Sequence, residues 1–260
     1  MYPYEIMFGM TLYDIFLSIG VVSALLIVRL FSDYDKTSAK LFNFILLTGA
    51  CAIGLGYCSA VLFQAIYNWL DGEPFVISTS TGATFLGGLV GGVVVFLIGY
   101  FLVGHFVFED KQNVKYFPRL LDIAAICITS AHGFGRIGCL MAGCCYGAET
   151  DAWYGIYHVA LDARVVPMQL FESIFLFTLA IILAVLVYKH IPGTMAIYMF
   201  AYGVWRFTAE YFRDDYRGST FVKFLTPSQL TALVLFIGSG IVLLYTLRMN
   251  TRNKVEDESK

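Results

Sequence analysis

Arg136 closes an apolar run, with Gly133 and Gly135 before it and Gly138 after it, and Cys139, Cys144 and Cys145 follow close behind. A guanidinium beside hydrocarbon costs about 2.5–3.5 kcal/mol on insertion scales, so such a residue marks a functional site. Its chemistry is anion binding, because the planar fork grips phosphate or carboxylate through two parallel N–H groups. The glycines clear side chains away so that a backbone or a ligand comes close. The three cysteines invite a metal reading, but zinc sites usually space paired cysteines by two to four residues and use four ligands. Here Cys139-x4-Cys144-Cys145 offers three cysteines, and the only neighbouring histidines are His132 and His158, a shortage of ligands at suitable spacing. We therefore expect no metal and no cofactor, and a disulfide or small packing residues beside the site. His132 reads as a satisfied core histidine.

A second cluster, Trp205 to Asp215, sets Arg206, Glu210 and Arg213 at i, i+4 and i+7, on one helix face. The functional reading is a charged face in which the arginines hold an anionic headgroup and Glu210 fixes a guanidinium. The bland reading is an internal salt bridge that locks helices, with Arg213 snorkelling to the interface. A third, Pro167-Met-Gln169-Leu-Phe-Glu172, starts a helix with proline in the first turn, where its missing N–H costs nothing. Gln169 and Glu172 then face one way. Glu172 is a partner for Arg136, a base or a buried neutral acid, and the partner role ranks first. Gly87/Gly91 and Gly88/Gly92 have small-xxx-small spacing, for which close helix packing is the ordinary explanation. One of their faces is left to line a lipid cleft.

Membrane helices must position these residues. Of 260 residues, 58% are hydrophobic and 14% charged, about half the usual soluble charge fraction of ~25%. The apolar residues come in blocks long enough to cross a bilayer. The expected fold is an all-α polytopic membrane protein of seven helices, near 11–31, 41–69, 82–107, 120–138, 168–189, 193–213 and 227–248. Residues 1–249 form one membrane domain, and 250–260 a charged, unstructured tail. Cys51, Cys58 and Cys127 fall inside apolar blocks as small core residues. The net charge of −2 says nothing about nucleic acid, but the sequence has no basic domain, and no nucleic-acid partner is expected.

Basic residues give the orientation. Eleven, namely Arg29, Lys36, Lys40, Lys111, Lys115, Arg119, Lys189, Arg248, Arg252, Lys254 and Lys260, fall at one set of loops and ends. Four, Arg164, Arg213, Arg217 and Lys223, fall at the other. The first set belongs in the cytoplasm, with the N-terminus outside and the C-terminus inside. At a helical rise of about 1.5 Å per residue, Arg136, Glu172, Arg206 with Glu210, and the Gly87–Gly92 cluster then fall in the outer half of four different spans. Their shared depth predicts a single site in the outer leaflet.

With those residues in place, the chain resembles the bacterial prolipoprotein diacylglyceryl transferase family. The resemblance rests on Gly-Gly-Leu-Val-Gly at 87–91, Gly-Arg-Ile-Gly at 135–138, and Pro-x-Gln-Leu-Phe-Glu at 167–172. It continues with Arg-Phe-x-x-Glu-Tyr-x-Arg at 206–213 and Leu-Thr-x-x-Gln at 225–229. It implies a multi-pass protein of the bacterial cell membrane that moves diacylglycerol from phosphatidylglycerol to the lipobox cysteine thiol of a preprolipoprotein, recognised through its signal peptide. By position, Arg136 and Arg206 would lie at the lipid phosphate, with Glu210 and Arg213 in support. Glu172, Gln169, Gly87 and Gly88 complete the expected substrate-binding set. The chain departs from the family pattern at Cys139, Ala142 and Cys144, where two asparagines and a glutamate are usual. It also has Leu86 in place of a histidine that would assist thiol deprotonation. The proton must then pass to Glu172, Glu210 or water.

The leading expectation is an enzyme, a glycerolipid-dependent transferase. One alternative is a relative that binds lipid or lipopeptide without catalysis. The other is a transporter, which would call for internal repeats and charges at the midplane. This sequence shows neither.

Overall fold

The structure, a computed structural model, describes residues 4–7, 9–78, 81–212 and 226–258, without the side chains of Met7, Phe85, Leu86, Pro227 and 253–258. Its helices are α1 (Leu12–Tyr34), α2 (Ala39–Leu70), α3 (Phe85–Ile98), the short α4 (Gly104–Val107), α5 (Gln112–Ala142), α6 (Met168–Tyr188), α7 (Thr194–Ala209) and α8 (Pro227–Glu258). A π-helical turn, Gly99–Val103, joins α3 to α4, and a 3-10 turn, Glu210–Phe212, extends α7. The chain is predominantly helical, as expected of a polytopic membrane protein, with two small antiparallel additions. These are β1 (Glu5–Met7) with β2 (Met10–Thr11), and β3 (Ile156–His158) with β4 (Ala163–Val165).

Among the described residues, six helical stretches are long and apolar enough to cross a membrane: Leu12–Tyr34, Ala39–Leu70, Gly87–Val107, Gln112–Ala142, Met168–Tyr188 and Ser228–Arg252. The expected sixth span, 193–213, corresponds to α7, whose 16 residues rise only about 24 Å. Many apolar side chains stand exposed on these helices, Phe106 at 78% and Ile181 at 67% among them. Such surface suits hydrocarbon, where a helix satisfies its own backbone groups. α8 runs on to Glu258, through most of the tail expected to lack structure. Adding residues to an existing helix needs no new nucleus, and Arg252, Lys254 and Glu256 are good helix formers.

The sequence reading takes 1–249 as one domain; the contacts gather into two compact units, 32–117 and the pair 1–31 with 118–260. In the first, α2 and α3 pack closely through the small residues. A Cβ on Gly56 would sit 3.1 Å from the Gly88 carbonyl oxygen, and one on Gly88 3.2 Å from Ala60 Cβ. Ser59 Oγ donates to Gly87 O at 2.9 Å, and Thr84 Oγ1 to Ala60 O at 3.1 Å. The π-helical turn is braced reciprocally, Tyr100 Oη donating to Asn113 O at 2.7 Å and Asn113 Nδ2 to Tyr100 O at 3.0 Å.

The second unit ties helix ends with buried polar groups. Arg119 Nη1 donates to Val187 O in the last turn of α6 at 2.7 Å. Asp122 Oδ1 accepts from Met195 N in the first turn of α7 at 3.3 Å. Both satisfy terminal groups that a helix cannot satisfy itself. Ile123, Leu176, Leu183 and Val187 on these helices are buried. A Cβ on Gly20 would sit 3.0 Å from Ala131 O, and one on Gly203 3.2 Å from the Phe236 ring, so glycine sets how closely α1 meets α5 and α7 meets α8.

Candidate active site

The second unit contains a buried polar cluster built on α5, α6 and α7. Glu172, 1% exposed, is its centre. Its Oε2 lies 3.0 Å from Arg136 Nε. The pair is a charge contact, since Arg136 Nε does not meet the alignment of a hydrogen bond. Glu172 Oε1 accepts a hydrogen bond from Tyr202 Oη at 2.9 Å and lies 3.8 Å from His132 Nε2. The His132 and Tyr202 rings meet edge to face at 5.1 Å, and Tyr198 stacks on Tyr202 at 5.9 Å. Burying a carboxylate is costly unless it is paired and hydrogen-bonded. Glu172 has both an opposite charge and a hydroxyl donor.

Helix spacing explains the convergence. His132 and Arg136 are four apart on α5, and Tyr198, Tyr202 and Arg206 are each four apart on α7, so each set shares a face. Glycine lets α5 approach α6: a Cβ on Gly133 would sit 2.9 Å from the Phe177 ring, and Ser173 Oγ donates to Gly133 O at 3.1 Å. Both arginines lie within electrostatic reach of His132 and of Tyr202, so Arg136 and Arg206 share one neighbourhood.

Arg206 is 8% exposed, and its Nη2 donates to Ser228 Oγ at 2.7 Å. Ser228 is held there by the start of α8. Thr226 Oγ1 accepts from Gln229 N at 3.2 Å, while Gln229 Oε1 accepts from Thr226 N at 3.1 Å. This is a reciprocal capping box, and it accounts for the Leu-Thr-x-x-Gln motif. Glu210 opens the 3-10 turn after α7, and its Oε2 is buried without a hydrogen-bond partner among the described residues. Arg213, the last of the expected charged face, lies outside the described residues.

Gln169 is fully buried, and its Nε2 donates to Cys144 O. It steadies the cysteine segment. That segment ends α5 with a Schellman motif. Gly143 adopts φ 73°, Gly143 N donates to Leu140 O at 3.3 Å, and Cys144 N donates to Cys139 O at 3.1 Å. The motif brings the residues at its two ends together, which is how a four-residue gap becomes a contact. The sulfurs of Cys139, Cys144 and Cys145 lie within 4.8 Å of one another. A hydrogen bond with Cys139 lowers the Cys144 pKa, but the hydrogen bond with Cys145 and burial outweigh it and hold the thiol above its usual range.

Arg136, Glu172 and Arg206 are thus gathered as expected, and the partner role for Glu172 is the one observed. Gly87 and Gly88 belong to the other compact unit. There they pack on α2, a Cβ on Gly87 meeting the Phe63 side chain at 2.6 Å. Sequence reasoning missed Tyr202 and Ser228 and ranked His132 as a core residue. The spacing of Tyr202 four before Arg206 was the available signal. Ser228 carried none until the capping box fixed it.

The family described as prolipoprotein diacylglyceryl transferase matches residues 4–245. The chain is 33% identical to phosphatidylglycerol–prolipoprotein diacylglyceryl transferase 2 of Clostridium perfringens over 256 residues, 92% of each chain. It is 30% identical to the Campylobacter curvus transferase of that name, covering 94% of this chain and 92% of the relative. It is 27% identical to the Clostridium tetani one, covering 89% and 92%.

Proposed function

The chain belongs to the prolipoprotein diacylglyceryl transferase family, and from that premise we propose that it transfers the diacylglyceryl group of phosphatidylglycerol to the lipobox cysteine of a preprolipoprotein. The observation that carries the reading is the Arg136–Glu172–Tyr202 cluster with Arg206 in the same neighbourhood. The thiol attacks the glycerol C3 carbon of the lipid. A C–S bond forms, the C3–O bond breaks, and glycerol phosphate leaves with the electron pair. The leaving phosphate gathers negative charge in the transition state, where preorganised donors stabilise it most. Arg136 and Arg206 supply those donors.

Glu172 orients Arg136 through Nε, leaving the rest of the guanidinium fork to the phosphate. Ser228 orients Arg206 through Nη2. Glu210 supports them from the end of α7, and Arg213 keeps the supporting role that the family resemblance implies. His132 is the acceptor we assign to the thiol proton, since Glu172 is engaged by Arg136 and Tyr202. α7 with its 3-10 turn counts as the seventh span, the N-terminus lies outside, and the site opens to the outer leaflet of a bacterial cell membrane.

The test is rescue of a bacterium depleted of its own transferase. It is paired with transfer from phosphatidylglycerol vesicles to a lipobox peptide by the purified chain. Rescue with peptide modification is the expected result. A folded protein that binds phosphatidylglycerol and neither rescues nor transfers would be a lipid-binding relative.

A further inference from the structure

We propose that Cys139, Cys144 and Cys145 bind one zinc ion and that its open fourth position takes the acceptor cysteine as a thiolate. The inference rests on the transferase reading and specifies how that site would make its nucleophile.

The geometry of the cluster carries it. Three sulfurs within 4.8 Å of one another are close to the ~3.8 Å separation that follows from tetrahedral Zn–S bonds of about 2.3 Å. Small side-chain rotations close the difference. The backbone is committed to this arrangement. The Schellman turn brings Cys139 and Cys144 together, and Cys145 adopts a left-handed φ of 62°. That conformation is unfavourable for a non-glycine residue, which keeps it where the surroundings impose it. The surroundings here are buried side chains: Gln169 Nε2 on Cys144 O, and His158 Nε2 against Gly143 O at 2.8 Å. Main-chain bonds continue the clamp, with Gly147 N on Val166 O at 2.8 Å.

Access and charge fit the same role. Cys144 is exposed and the other two are half-buried, so the open side of a three-sulfur site faces outward. Three thiolates and a divalent ion leave one negative charge, and Arg136 lies within electrostatic reach of Cys139 and Cys145. The expectation of no metal rested on counting four protein ligands. Four ligands close a structural site, whereas a catalytic zinc site keeps three and leaves one position open.

The chemistry matches the proposed reaction. A thiolate is the competent nucleophile, and a thiol that coordinates zinc is deprotonated outright. The acceptor S–H proton passes to His132, the sulfur binds zinc, and the same sulfur then attacks C3. The C–S bond forms as the C3–O bond breaks, and zinc keeps its oxidation state. Leu86 stands at the position that resemblance assigns to a histidine assisting this deprotonation. The three-cysteine site supplies a substitute.

The experiment uses the full-length chain purified under reducing conditions and supplied with zinc. We expect about one zinc per chain, three sulfur neighbours by X-ray absorption, and a fourth on adding a lipobox peptide with cysteine but not serine. Cys139→Ser, Cys144→Ser and Cys145→Ser should each lose the ion, while Cys51→Ser keeps it. The absorption spectrum of the parent protein stands whether or not the variants fold. Substoichiometric zinc, a sulfur count unmoved by the peptide, or a Cys139–Cys144 disulfide in place of the ion overturns the proposal. So does transfer at the parental rate after the zinc is chelated, which leaves the transferase reading intact. Zinc and peptide bound as described, without transfer from phosphatidylglycerol vesicles, removes the transferase reading and leaves the site.

Discussion

Arg136 Nε and Glu172 Oε2 lie 3.0 Å apart and join α5 to α6 at a depth where neither charge would be stable alone. Removing one partner of a buried ion pair costs about 3–5 kcal/mol, because the other is left uncompensated. Glu172→Leu should therefore lower the melting temperature sharply. Glu172→Leu combined with Arg136→Met should recover much of the loss, and neither variant should transfer lipid. Calorimetry of the single and double variants checks this, and additive losses would show that the two charges do not pair.

Arg206→Lys should be nearly as damaging as Arg206→Ala. An ammonium cannot reproduce the planar fork that reaches Ser228 and a phosphate together. Loss of a transition-state contact of this kind costs about 2.7–4 kcal/mol, or hundreds-fold in rate. Lipid transfer and thermal stability should be measured on the same preparations. A well-folded lysine variant with parental transfer would remove Arg206 from the site.

His132→Gln keeps a polar side chain of similar reach but removes the proton acceptor. General-base contributions are about 10²–10⁴-fold, so transfer should fall within that range while the melting temperature changes little. A large stability loss with normal turnover per folded molecule would restore His132 to the packing role expected from the sequence.

The glycines of α2 should separate by position. A Cβ on Gly56 meets the backbone of α3 at 3.1 Å, whereas one on Gly54 meets nothing within 4 Å. Gly56→Val should destabilise by about 1–3 kcal/mol through overpacking, and Gly54→Val should not. Equal effects in thermal unfolding would mean that α2 and α3 do not pack through Gly56.

The proposed orientation rests on the basic residues. An epitope tag inserted after Asp71 should bind antibody on intact cells. One inserted after Asp110 should bind only after permeabilisation. The reverse pattern would invert the proposed outer-leaflet site.

Much of this molecule is legible in the sequence because membrane helices are local objects. Hydrocarbon forces each span to satisfy its own backbone, so apolar block length alone marks out six of the helices. Counting helical rise from the basic loops puts Arg136, Glu172 and Arg206 at one depth, which is why they could be expected together, and the structure brings the three into one neighbourhood. Tertiary structure decided which face meets which. Tyr202 became a ligand of Glu172 only because α7 lies across α6, and Ser228 reached Arg206 only because a capping box fixed the start of α8. The cysteines show the limit most clearly. Their number argued against a metal, since zinc sites usually use four ligands, and a linear gap carries no information about a left-handed turn. Gly143 and Cys145 make that turn, and it draws three sulfurs together.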